Sequence, residues 1–261
     1  MKNFKIEVGG VVVLIETDNF AEQLENKYRE FITDKKHNFK IMFISRLNPI
    51  NEITTGQFSE DKNNYLIKNE FLKLEIDKQT FNSKANIQVA SFFESPIFSY
   101  TIRQALSLYL LEKGLGLVLH GCGIIKNNKG YLFCGPSGVG KTTLVEKTTN
   151  SDILNDDTIF LRTKDVKMFG TPFSRRNIQL NKNKKVDKIF FLRQGNELKI
   201  ETNDSLNGLA ALMMNTFTFP LTDLSKHLRD LIVIEAKEIV SQAETFILTS
   251  KEKDDVWSII K

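Results

Sequence analysis

Cysteine, histidine and tryptophan are scarce in this chain: its 261 residues hold two, three and one of them. Two thiols cannot form a disulfide framework, and Cys122 and Cys134 lack metal-ligand spacing. Both lie in apolar stretches, GCGII and YLFCG, and are expected as small buried thiols of a reducing compartment. No segment approaches the ~20 apolar residues of a membrane span. The apolar run over residues 8–15 is short, contains two glycines and is closed by Glu16 and Asp18, unlike a signal peptide, so a cytoplasmic location is expected. Charge is nearly balanced. With 36 basic and 32 acidic residues the net charge is +4, too weak to imply nucleic acid by itself. At 41% hydrophobic and 26% charged residues the chain can bury a core without staples. That excludes a disordered chain, a collagen-like repeat and a disulfide-dependent miniprotein. The length fits one large domain or a main domain with a smaller companion.

Residues 1–95 predict a β-rich region that acts as a scaffold or docking module. Strands are expected over 4–15, 39–47, 65–76 and 85–93, with loop residues over 51–64. Between the first two strands, Phe20, Leu24, Tyr28 and Phe31 share one face of a helix expected over 19–32. Residues 96–261 form the second region. Ser95 and Pro96 open a helix that Gly114 closes. Short strands are expected over 115–120 and 123–125, a hairpin turn over 126–130, and a buried strand over 131–134. Further on, the pattern predicts a helix over 141–149 and a strand over 153–161 interrupted by acids. A short strand over 166–169, a hairpin of 186–193 with 197–201, helices over 206–215 and 221–236, a strand over 244–248 and a closing helix over 254–260 follow.

The strongest chemical signal is Gly135-Pro136-Ser137-Gly138-Val139-Gly140-Lys141-Thr142, followed by Thr143. It satisfies the phosphate-binding loop pattern in full, with a buried strand before it and a helix after it. Gly135, Gly138 and Gly140 let the backbone curl so that its N–H groups face phosphate oxygens. Lys141 puts a compact positive charge against the β- and γ-phosphates, Thr142 offers a hydroxyl to Mg²⁺, and the helix start adds a partial positive field. Nucleotide binding is the expectation. No base-reading motif separates ATP from GTP.

The loop alone does not name a reaction. Asp156 and Asp157 follow Lys141 at short range, at the end of an apolar run. Adjacent acids in a half-buried strand are costly unless a cation or a reacting hydroxyl needs them. One can bind Mg²⁺ while the other accepts a substrate proton, as phosphoryl transfer requires. His120, in Leu-His-Gly-Cys-Gly, lies one hairpin upstream, where neighbouring strands carry it to the same sheet edge as Gly135.

His-Gly, a hairpin, GPSGVGKTT and then Leu-Asn-Asp-Asp together resemble the catalytic core of the HPr kinase/phosphorylase family, which is related to phosphoenolpyruvate carboxykinases. The resemblance is clearest over residues 97–175. It implies an α/β fold: a P-loop HPr kinase/PEP carboxykinase-like core with a mixed sheet, plus the β-rich N-terminal region. It also implies that Asp156 is the general base, that Asp157 and Thr142 lie on the metal side, and that His120 contacts the phosphate or metal region. A homo-oligomer is compatible with it. The glycine-rich signature by which HPr kinases engage HPr is missing after the Asp pair. A basic run takes its place: Arg175, Arg176, Lys182, Lys184, Lys185 and Lys188. Arg175 or Arg176 is a candidate for contact with the transferred phosphoryl group or an anionic acceptor. No aromatic residues interleave these bases, so nucleic acid is not an expected partner. The expected activity is Mg-ATP-dependent phosphoryl transfer to a hydroxyl on a protein, peptide or small molecule. The alternative is a nucleotide-responsive binding module with little or no transfer.

Overall fold

The computed structural model describes residues 1–46, 56–89, 96–174, 176–216, 221–251 and 253–260. The chain divides into two units, Met1–Tyr109 with Thr218–Arg229, and Leu110–Phe217 with Asp230–Lys261. Both are built on a mixed sheet, so the architecture is mixed α/β.

In the first unit, β1 (Lys2–Val8) and β2 (Val11–Thr17) form a hairpin. The single strand expected over 4–15 is therefore folded in two. Gly9 and Gly10 sit at φ of 60° and 93°, the left-handed pair that a two-residue hairpin turn demands. Helix α1 (Ala21–Tyr28) buries Ala21, Leu24 and Tyr28, and a 3₁₀ turn over Arg29–Phe31 ends it earlier than expected. Then come β3 (Phe39–Arg46), β4 (Gln57–Glu60), β5 (Asn64–Asn69), β6 (Leu72–Asp77) and β7 (Ser83–Gln88). The expected strand over 65–76 is a second hairpin, β5 with β6. Its turn is hidden in the sequence because a side chain makes it: the Phe71 N–H donates to Asn69 Oδ1 at 2.9 Å. The sheet runs β1-β2-β3-β7-β6-β5-β4. Alternate burial along β6, with Leu72, Leu74 and Ile76 inside, shows one face packed on a core. The first part of α2 (Ile97–Glu112) covers that core. Phe98 lies 5.0 Å from Phe43, and Tyr109 stacks on Phe39 at 4.8 Å. Leu47 and residues 90–95, the ends of two expected strands and the expected start of α2, lie outside the described residues.

In the second unit α2 ends at Gly114, where φ is 59°. The Gly114 N–H bonds Leu111 O and the Leu115 N–H bonds Leu110 O, the paired closure that a left-handed glycine permits. The short runs expected after it are one eleven-residue strand, β8 (Gly116–Lys126). The turn to β9 (Lys129–Cys134) uses Asn127 and Asn128 at φ of 51° and 61°. After α3 (Lys141–Lys147) come β10 (Ser151–Asn155), β11 (Thr158–Arg162), β12 (Lys167–Phe169) and β13 (Asn183–Lys185). They are followed by β14 (Lys188–Gln194), β15 (Lys199–Thr202), α4 (Ser205–Met214), α5 (Lys226–Gln242) and β16 (Glu244–Ser250). The sheet order is β13-β12-β11-β8-β9-β14-β16-β15, with β10 also on β8.

Two expectations fail here. The hairpin of 186–193 with 197–201 does not form, because β16 lies between β14 and β15, parallel to the first and antiparallel to the second. Phe246 stacks on Phe190 at 5.5 Å and Leu248 is fully buried, so central burial outweighs the local turn. The closing helix over 254–260 is only a 3₁₀ turn, Val256–Ser258. Trp257 packs edge-on against Tyr131 and Phe133, at 5.3 and 5.8 Å, and donates from Nε1 to Thr148 Oγ1 at 2.8 Å.

Candidate functional site

The glycine-rich loop leaves the buried end of β9 and enters α3, whose Leu144 and Val145 are buried in the core beneath. Gly138 and Gly140 have φ of 81° and 114°, values that L side chains rarely adopt. Pro136, Ser137, Gly138 and Thr142 are exposed, while Val139, Gly140 and Thr143 are half-buried. A Cβ on the buried Gly135 would stand 2.9 Å from Val139 Cγ1. Lys141 is only 6% exposed. Its Nζ donates to the carbonyls of Gly135 at 2.5 Å and Pro136 at 3.0 Å, which satisfies the buried ammonium inside its own loop. Burial lowers its pKa from the ordinary lysine value, and nearby Asp157 acts in the opposite sense.

Asp156 and Asp157 stand in the break between β10 and β11. Both strands pair with β8: Asn155 faces Gly123, and Thr158 faces His120. These pairs are three positions apart on both strands, so no extra residue is inserted, and the Gly121 N–H still donates to the Asp157 carbonyl at 3.0 Å. A bend at the two acids interrupts the strand expected over 153–161. Fully buried Asn155 shapes the bend. Its Oδ1 accepts from the N–H groups of Asp157 and Thr158, both at 2.8 Å, and its Nδ2 donates to Thr171 O at 2.7 Å. Thr171 Oγ1 donates in turn to Thr158 O at 2.8 Å. One carboxamide thus ties the acid pair to the Gly170-Thr171-Pro172 loop. At Gly170 a Cβ would meet Leu180 O at 1.9 Å, so no other residue fits there.

The two acids have different neighbours. Asp157 meets His120, whose Nδ1 lies 3.1 Å from the Asp157 carbonyl and 3.4 Å from its Oδ1. Asp156 is 6% exposed, and Ser174 Oγ donates to its Oδ1 at 2.7 Å. The same Ser174 oxygen accepts the backbone N–H groups of Arg176 and Ile178, both at 3.0 Å. A hydroxyl has one proton and two lone pairs. With both lone pairs taken, the Ser174 proton is committed to Asp156. The buried Cys122 thiol, pushed far up by burial, also feels Cys134, Lys141 and Asp156. Cys134, just before the loop, is pushed up to about 12 by burial, with Lys141 opposing. Both cysteines are free, buried thiols.

No protein-family model matches this chain, and no curated protein matches it.

The strand pairing brings His120, Asp156 and Asp157 together, and Gly121 of β8 faces Cys134, the residue before the loop. The basic run is not drawn in with them. Arg176 pairs with Glu146 on the surface, Lys182 with Asp152 at 2.8 Å, and Lys184 with Asn128 Oδ1 at 2.6 Å. Exposed pairs of this kind contribute little. Arg175 lies outside the described residues. Asn155 and Ser174 were missed in the sequence because each works through a neighbour. The available signal was their position, one immediately before the acid pair and the other after Gly-Thr-Pro-Phe.

Thr142 and Asp157 each offer oxygen of the kind Mg²⁺ takes, since that ion binds through one or two carboxylates and shares the rest of its shell with phosphates and water. Among the described residues no group of three or more His, Cys, Asp or Glu side chains is placed to hold a metal alone. No helix of the described residues is long and apolar enough to cross a membrane.

Proposed function

We propose that this protein is a Mg-ATP-dependent kinase with an HPr kinase-like P-loop core, transferring the γ-phosphoryl group to a hydroxyl of a protein, peptide or small molecule. The observation that carries this reading is the buried Asp156 carboxylate, held by the Ser174 proton and adjacent in sequence to Asp157, which acts on Lys141. A site that only holds a nucleotide has no need of an oriented proton acceptor there, and burying one is costly.

In this reading the N–H groups of residues 137–142 cradle the phosphates. Lys141 exchanges its contacts with the Gly135 and Pro136 carbonyls for β- and γ-phosphate oxygens. Asp156 accepts the proton of the acceptor hydroxyl as its oxygen bonds to the γ-phosphorus. The bond from that phosphorus to the bridging oxygen breaks, and the electron pair leaves with ADP. Thr142 and Asp157 are the residues that would hold Mg²⁺, which would supply positive charge to offset that developing on the phosphates. His120 fixes Asp157 through its Nδ1 and so sets the metal side of the site.

γ-labelled ATP, Mg²⁺ and a fractionated cell extract test this, with wild type compared with Asp156→Asn. The expected result is label in a peptide or metabolite fraction with wild type only, transfer falling by about 10²–10⁴-fold in the variant and ATP affinity staying within a few-fold. ATP binding with no label transferred by either protein would favour the nucleotide-responsive module. Equal loss of binding and transfer would move Asp156 to a metal role.

A further inference from the structure

Three parallel neighbours in the second unit's sheet, β9, β14 and β16, end at the same side. β9 runs into the phosphate loop, β14 into Gly195 and Asn196, and β16 is followed by Lys251 and by residues 253–257. Their carboxyl ends enclose a cavity of about 710 Å³, walled on one side by Gly138, Gly140 and Thr143 and on the other by Asn196, Asp254 and Trp257. The carboxyl ends of parallel strands are where α/β sheets bind ligands, and the volume suits a cofactor-sized molecule. Gln194 joins this cavity to the loop by donating from Nε2 to Gly138 O at 3.0 Å.

The charge of the lining decides what fills it. Among the described lining residues, Lys147 and Lys251 are matched by Asp254 and Asp255, two against two, so these side chains bring no net charge. A second polyanionic group has no reason to settle there. An uncharged group rich in hydroxyl and amine donors does, because both carboxylates are pinned in place: Asp254 accepts the Lys251 N–H at 2.7 Å and Asp255 the Trp257 N–H at 3.1 Å. A polyphosphate joined to an uncharged, donor-rich group is a nucleotide. We propose that this cavity is the nucleoside subsite, with ribose and base lying between the loop and the Asp254–Trp257 stretch. The assignment rests on the phosphate-loop reading above.

The chain's one tryptophan is a cavity wall and supplies the probe. Full-length protein with Mg²⁺ is titrated with ATP, adenosine and inorganic tripolyphosphate, following Trp257 emission, while calorimetry gives each affinity. ATP and adenosine are expected to change the emission and tripolyphosphate to leave it unchanged. ATP should bind at least tenfold tighter than tripolyphosphate. Asn196→Phe, which fills the mouth from an exposed position, should weaken ATP about tenfold and leave tripolyphosphate within twofold. Asp254→Asn, which keeps an acceptor for the Lys251 N–H, should weaken ATP in the same selective way and guards against misfolding of the first variant. Equal affinities for ATP and tripolyphosphate in wild type would overturn the subsite, as would ATP binding unaffected by both variants. Wild type that binds neither ligand would instead overturn the phosphate-loop reading beneath it, and the subsite with it.

Discussion

The two units bury different chemistry. Among the described residues, the polar side chains buried in the first unit are neutral: Thr17, Ser83, Asn86, Thr101, Gln104 and Ser107. The second unit buries three ionisable side chains that carry charge at neutral pH in water, Lys141, Asp156 and Glu235. Burying charge costs several kcal/mol unless partners offset it, so a fold carries it where something else requires it. Two of the three, Lys141 and Asp156, belong to the candidate site. The first unit has the economy of a scaffold, and the second is stressed where chemistry is proposed.

The largest expected effect tests the scaffold side. Phe43→Ala empties a fully buried position against Phe98 and should cost about 3–5 kcal/mol of stability, read by denaturant unfolding. Below the unfolding transition, tripolyphosphate affinity should stay unchanged; a parallel loss of affinity would break the contrast. Lys141→Ala removes two hydrogen bonds of the loop and its ammonium, and should weaken both ATP and tripolyphosphate by about 10–100-fold with a much smaller loss of stability. Ser174→Ala leaves Asp156 Oδ1 and two backbone N–H groups without their shared partner. It should lower transfer by about tenfold while ATP affinity stays within a few-fold. An equal loss of ATP affinity would reduce Ser174 to loop support, whereas Ser174→Thr, which retains the hydroxyl, should restore most of the rate.

The smallest effect concerns the third buried charge. Glu235 accepts from Thr163 Oγ1, and burial, the leading cause, holds its carboxyl above the ordinary 4.5. The folded state therefore keeps a proton that the unfolded chain has already released. The stabilisation is fully present below the unfolded value and is lost as pH rises through the raised folded value. Glu235→Gln preserves the shape and the acceptor, and should raise Tm by about 2 °C at pH 8 while changing it little at pH 4. An equal shift at both pH values would show that Glu235 carries no titration-linked strain.

Local signals were legible where local geometry makes the structure. The glycine loop between strand and helix, the Gly114 closure, the asparagine hairpin before β9 and the α1 face all follow from residue types within a few positions of one another. What the sequence hid depends on distant partners. The Asn69 turn is made by a side chain, so 65–76 reads as one strand. The pairing of β14 with β16 rather than with β15 joins residues more than fifty positions apart, and no local pattern can announce it. Likewise Asn155 and Ser174 are ordinary polar residues until the Gly-Thr-Pro loop is laid beside the acid turn.

The sequence by itself determined that residues 135–142 form a glycine-rich loop between a buried strand and a helix, because glycine alone tolerates the φ values at positions 138 and 140. It also determined that two carboxylates follow at short range. Only the tertiary structure decided that these carboxylates have different environments. Asp156 is buried under a serine proton and Asp157 is joined to a histidine, because pairing of β10 and β11 with β8 sets the bend between them against His120 on one strand and the Gly-Thr-Pro loop on the other.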